Sequence, residues 1–96
     1  MGENKIIVGR NEKENKALVA GKTRNDYVFE VPDIAGPISL LQGKKTKKVV
    51  EATAALTAFY SDARTDMVAV CYGGEKQGKT IIVERPSREA VEKLRL

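Results

Sequence analysis

Between Thr46 and Ala63, apolar or small residues recur at Val49, Ala52, Leu56, Phe59, Tyr60 and Ala63, close to the i, i+3, i+4, i+7 spacing of one helix face. No other stretch sustains that period for so long. Lys5 to Val8, Tyr27 to Val31, Val68 to Tyr72 and Thr80 to Glu84 are short runs of β-branched and aromatic residues, closed in turn by Gly9, Pro32, Gly73 and Pro86. One main helix among brief strands must bury its apolar face against a sheet. The pattern therefore predicts an α+β fold, with a mixed β-sheet covered by one long helix.

The remaining segments fill in the order of elements. Asn11 is a good N-cap with Glu14 in capping-box register, which predicts a short helix from Glu12 to Ala20. Gly21 stands where a helix end favours positive φ, and Lys22 to Asp26 is polar turn material. In Asp33-Ile34-Ala35-Gly36-Pro37, glycine tolerates an unusual φ and proline fixes the next one, so the segment reads as an ordered loop. Ile38, Leu40 and Leu41 after it face the core, as a short strand at most. Gly73-Gly74-Glu75-Lys76-Gln77-Gly78 reads as a hairpin connection, and Pro86-Ser87 as a stop and N-cap for a last helix, Arg88 to Leu96, with Val91 and Leu94 inward. The expected order is β-α-β-loop-α-β-β-α.

The chain has 96 residues, 42% of them hydrophobic and 31% charged, which suits one globular domain over residues 1–96 with no internal linker. Its apolar runs last only a few residues, and the start of the chain lacks a signal-peptide pattern. A cytoplasmic protein that neither spans nor targets a membrane is the expectation. Cys71 is the sole cysteine, so no internal disulfide can form, and its apolar surroundings predict a small buried core residue. With no histidine, no zinc spacing, and no partner for Asp33 beyond a turn-capping role, the chain offers no complete catalytic site, metal site or cofactor site.

Seventeen Lys plus Arg against thirteen Asp plus Glu give a formal charge of +4, which favours polyanions only if the positive charge is clustered. It is clustered. Lys44-Lys45-Thr46-Lys47-Lys48 places four lysines in five positions at the start of the main helix, where cations oppose the macrodipole. A bound phosphate would turn that conflict to use, whereas a solvated face would need nothing more than solubility. A second basic group surrounds the first helix: Arg10, Lys13 and Lys16, with Lys22 and Arg24 beyond it. The few aromatics are wanted by the core, so recognition through shape and phosphates is expected ahead of base stacking.

Val8-Gly9-Arg10-Asn11 with Glu14-Asn15, Val31 to Pro37, Ala54-Ala55 with Phe59 to Arg64, and Val68 to Tyr72 together resemble the NFACT-R RNA-binding domain, in order and through nearly the whole chain. The resemblance implies an RNA-binding module without catalysis. Such domains occur in ribosome-associated quality-control factors and, in a variant form, fused to PP-loop enzymes that thiolate tRNA. The quality-control form carries Gln where this chain has Glu14, and His where it has Pro37 and Ile38. Both departures favour the variant, and with it tRNA as partner and a thiouridine-forming PP-loop enzyme as neighbour, the domain being either cut from that enzyme or acting beside it. The RNA-facing residues so expected are Arg10, Asn11, Lys13, Asn15, Lys16, Arg24, Lys44, Lys45, Lys47 and Lys48, framed by the loop residues Asp33, Gly36 and Pro37. The alternative is a protein-interaction domain that docks on a tRNA-modifying or ribosome-associated partner.

Overall fold

The computed structural model describes residues 4–34, 36–74 and 78–94, with Leu94 described in its backbone alone. The elements run β1 (Lys5–Val8), α1 (Glu12–Gly21), β2 (Tyr27–Glu30), β3 (Ser39–Gln42), α2 (Lys47–Tyr60), β4 (Met67–Gly73), β5 (Lys79–Glu84) and α3 (Arg88–Leu94). The strands form one five-stranded sheet in the order β1-β3-β2-β4-β5, and the fold is α+β as expected. The expected inward position of the Leu94 side chain, and the tip of the β4–β5 hairpin at 75–77, lie outside the described residues.

Every strand junction is antiparallel, where the sequence reading has a mixed sheet. The reason is the way the crossovers interlock. The β1-α1-β2 unit leaves a gap that β3 fills, and the β3-α2-β4 unit leaves a gap that β2 fills, so no two parallel strands become neighbours. The expected loop thus contains an interior strand. Leu40 and Leu41 are both buried, one on each face, so β3 shows none of the polar-apolar alternation by which half-buried strands are recognised.

Strand alternation assigns the two faces. Leu41, Phe29, Val70 and Val68 point to one side, where α2 packs across all five strands and α3 packs against α2. Leu40 and Val28 point to the other side yet are only 3% and 6% exposed, and α1, which contacts β3, supplies the cover there. Ser39 and Thr57 are wholly buried; the Thr57 hydroxyl donates to Thr53 O at 2.8 Å and shares a second hydrogen bond with the Ser39 hydroxyl at 2.7 Å, so the polar atoms inside the helix-sheet interface are partnered.

Several local expectations change. The main helix ends at Tyr60, not near Ala63, because Ser61 turns to extended backbone and caps it through its N–H to Ala58 O. Gly21 is the last residue of α1 and has no positive φ: the helix stops when Lys22 turns extended and its N–H bonds Val19 O. In the 32–37 loop a positive φ falls on Asp33, at 62°. Gly36 is needed for clearance, since a Cβ there would lie 2.8 Å from Ser61 Cβ. Cys71 is partly exposed on the face opposite the core, because alternation turns Val68, Val70 and Tyr72 inward and leaves Cys71 to face outward beside Thr80.

Candidate nucleic-acid interface

Antiparallel topology brings distant cations to one end of the sheet. At the end where β3 and β4 finish and β1, β2 and β5 begin lie Lys5, Lys22, Arg24, Lys44, Lys45, Lys47, Lys48 and Lys79. Among the described residues of the connections there, the one carboxylate is Asp26, which is 5% exposed and turned inward. Its Oδ2 accepts the Thr23 N–H at 2.8 Å. That bond foremost, with side-chain bonds from Thr23 and Gln42 and the Lys45 charge, holds the Asp26 carboxyl below its ordinary range against the opposing effect of burial. The opposite end mixes signs, with Glu30, Asp33, Asp62, Asp66 and Glu84 among Arg10, Arg64 and Arg85.

Core aromatics carry the basic end. Phe29 stacks on Tyr72 with centroids 5.1 Å apart, and Tyr72 packs against Tyr27 at 6.0 Å. Lys45 and Lys79 then lie 5.2 Å and 5.9 Å from the Tyr27 ring centre, so one aromatic draws together the β3–α2 connection and the start of β5. Lys45 also donates to Gly43 O, where Gly43 makes the turn at a φ of 95°. Asn4 Nδ2 donates to Lys44 O at 2.7 Å, which ties the lysine loop to β1. Thr46 caps α2, its Oγ1 accepting the Val49 N–H at 3.2 Å. The first turn of α2 holds Lys47 and Lys48 and no acid, so the helix dipole and the side chains add positive potential at the same place.

The residues around the Gly-Arg-Asn turn gather elsewhere, at the far end of β1. A cleft of about 1170 Å³ runs along β1 toward α2, lined by Asn4, Lys5, Ile6 and Val8, by Arg10, Asn11 and Asn15 with the carboxylates Glu12 and Asp62, and by Gly36, Pro37, Leu56 and Tyr60. Asn11 caps α1, its Oδ1 accepting the Glu14 N–H at 2.9 Å. Glu14 reaches back to the Arg10 N–H at 2.9 Å and to Arg10 Nε at 3.4 Å. The Arg10 main-chain donor, aided by the guanidinium charge, keeps the Glu14 carboxyl below its ordinary range, in spite of some desolvation. Arg10 therefore does not point freely away from the helix; it stays exposed but leans on Glu14. Asn15 acts as a strut: its Oδ1 accepts the Ile38 N–H at 3.0 Å, and Gly9 must be glycine because a Cβ would sit 2.1 Å from that same oxygen.

The expected site residues thus fall into two groups. Arg24, Lys44, Lys45, Lys47 and Lys48 share the basic end. Arg10, Asn11 and Asn15 share the cleft with Gly36 and Pro37, while Asp33 stands exposed in the adjoining loop. Lys13 and Lys16 are exposed on α1, and Lys16 pairs with Glu12 at 3.2 Å. The cleft joins the two groups, because it begins at Asn4, which holds the lysine loop, and ends at Arg10. Sequence reading missed Lys5, Lys79 and Tyr60. A lysine directly before a strand signal marks Lys79 as a strand start, but only the sheet order brings it beside Lys45.

No curated protein matches this chain. Among solved structures, the C-terminal part of the fibronectin/fibrinogen-binding protein from Streptococcus suis is similar, with a TM-score of 0.85 at 21% identity. The likeness covers 99% of this chain and 46% of that one, so the chain spans about half the length of that structure, and at this identity it speaks for the fold. The family model described as the NFACT protein RNA binding domain matches residues 2–95, which takes in β1 to α3 with both the basic end and the cleft. The chain belongs to that family of NFACT RNA-binding domains.

Proposed function

We propose that this RNA-binding domain positions tRNA for a thiouridine-forming PP-loop enzyme and performs no chemistry itself. The observation that carries this reading is the segregation of charge: exposed lysines and Arg24 at one sheet end, with the local carboxylate Asp26 withdrawn into the fold. A rigid array of cations on strand ends and a helix N-terminus suits the phosphates of a structured RNA, whose grooves are read by shape more than by base edge. The departures at Glu14 and Pro37 from the quality-control form support the tRNA-modification branch over the ribosomal one.

The test is a filter-binding titration of folded tRNA against a duplex RNA of equal length over a series of salt concentrations. Tighter binding to tRNA, with log affinity falling linearly with log salt, is the expected result. Equal affinity for both RNAs removes the tRNA assignment. Thiouridine formation by a PP-loop enzyme, measured with and without the domain supplied, tests the positioning role: the expected change is in KM for tRNA with kcat unaltered, and no effect on either removes it. A second reading, docking on a protein partner, is favoured by exposed Met67 and Ile82 on the outer face of β4 and β5. Partner capture that survives replacement of Lys44, Lys45, Lys47 and Lys48 by Gln would support it.

A further inference from the structure

We propose that the cleft between β1 and α2 receives an unpaired nucleotide of the bound RNA, with its base stacked on the Tyr60 ring. The inference rests on RNA binding by the domain and adds a second mode of contact to the phosphate-binding end. Tyr60 continues the row of Thr53, Leu56 and Thr57 at helical i+3 and i+4 spacing, and those three are buried. Tyr60 is nevertheless 48% exposed. The helix outruns its cover, because β1 ends at Val8 and the chain turns away at Gly9. Phe59 meets Tyr60 edge to face at 4.9 Å and 89°, so no ring is stacked parallel on Tyr60 among the described residues.

The rest of the cleft suits a nucleotide. Ile6, Val8 and Leu56 give it apolar walls. Gly9 N–H donates to Ile38 O, and in an antiparallel ladder this turns the main-chain groups of Ile7 toward β3 and those of Ile6 and Val8 toward the open edge. Those groups are donors and acceptors that the ladder leaves unused. Lys5 stands at one mouth of the cleft, while at the other Arg10 stands among the carboxylates Glu12 and Asp62, so the anionic backbone is best received from the Lys5 side. A peptide strand is a poorer fit, since β1 offers it only the outward groups of Ile6 and Val8 between two cations.

The experiment uses the full chain and two RNA hairpins that differ by one bulged nucleotide, a fluorescent adenine analogue that stacking quenches. Wild type is expected to prefer the bulged hairpin and to quench it. Tyr60→Leu is expected to lose about 5- to 150-fold on the bulged hairpin, the usual range for one base-aromatic stack, together with the quench, and nothing on the paired hairpin. Tyr60→Phe, which keeps the ring, should keep both and controls for folding. Equal binding of the two hairpins by wild type, or Tyr60→Leu binding the bulged hairpin as wild type does, overturns the cleft while leaving phosphate binding intact. Binding of neither hairpin overturns RNA binding itself. A concentration-dependent dimer broken by Val8→Pro would give the β1 edge to a second copy and overturn the proposal.

Discussion

Replacing Lys47 and Lys48 by Gln should make the protein more stable and a weaker RNA binder at once. Both lysines sit in the first turn of α2, which carries no acidic residue and is capped by Thr46. An exposed cation there opposes the dipole by about 0.3 to 1 kcal/mol at low salt. Gln lies close to Lys in helix propensity, so removing both charges should stabilise the fold by about 1 kcal/mol. For a domain of this size that raises Tm by roughly 4–8 °C. Binding moves the opposite way. If each lysine displaces one counterion from RNA, the log-log salt slope should shrink by about 1.4 to 1.8, which corresponds to about 40-fold weaker binding near 0.1 M salt. Calorimetric melting at low salt reads the first effect, and filter binding across a salt series reads the second. A variant that melts higher but binds with an unchanged slope would refute phosphate contact at this helix end, and one that melts lower would refute the dipole argument.

Gly36→Ala should cost about 1 to 3 kcal/mol, because its Cβ would sit 2.8 Å from Ser61 Cβ and 2.9 Å from Ser61 Cα, and a buried helix cap cannot yield easily; an unchanged Tm would show that the loop moves freely. Thr57→Val should cost about 1 to 3 kcal/mol, since it strips the wholly buried Ser39 hydroxyl of its 2.7 Å partner, and Thr57→Val combined with Ser39→Ala should recover part of that loss in a urea melt. Asp26→Asn tests the acid limb. The folded-state pKa of Asp26 is depressed below the ordinary value of 3.8, so its contribution is present above that value and is lost as pH falls through the lower, folded one. The variant should therefore be less stable than wild type at pH near 7 and approach it at strongly acidic pH, and a gap that stays constant across the range would contradict the assignment.

Local chemistry left its mark on the chain wherever a feature depends on near neighbours. The α2 period, the Asn11 and Ser87 caps, and the strand runs of β1, β2, β4 and β5 are all legible, because propensity, capping and alternation act over a few residues, while the Thr46 cap came only with the structure. β3 was harder to read because burial on both faces erases alternation, and Gly36 and Pro37 beside it carry the marks of a loop. Thr53 and Thr57 look polar and yet occupy the inner face of α2, where each hydroxyl finds a carbonyl four residues back. Nothing local shows that such a partner exists.

The same division runs through the site. Written in the order of residues alone are a cluster of lysines at a helix start, a capped Gly-Arg-Asn turn, an α+β pattern and the ordered motifs that resemble the family. The tertiary structure decided which of these meet: sheet order set Lys79 beside Lys45 around Tyr27, separated Arg10 from Lys44 by the length of β1, and left Tyr60 half-bare over an unpaired edge. The physical reason is range. Caps and periods arise from contacts a few residues apart, whereas strand order is fixed by how two interlocked crossovers bury α2 against one face, a property of the whole chain that no short segment contains.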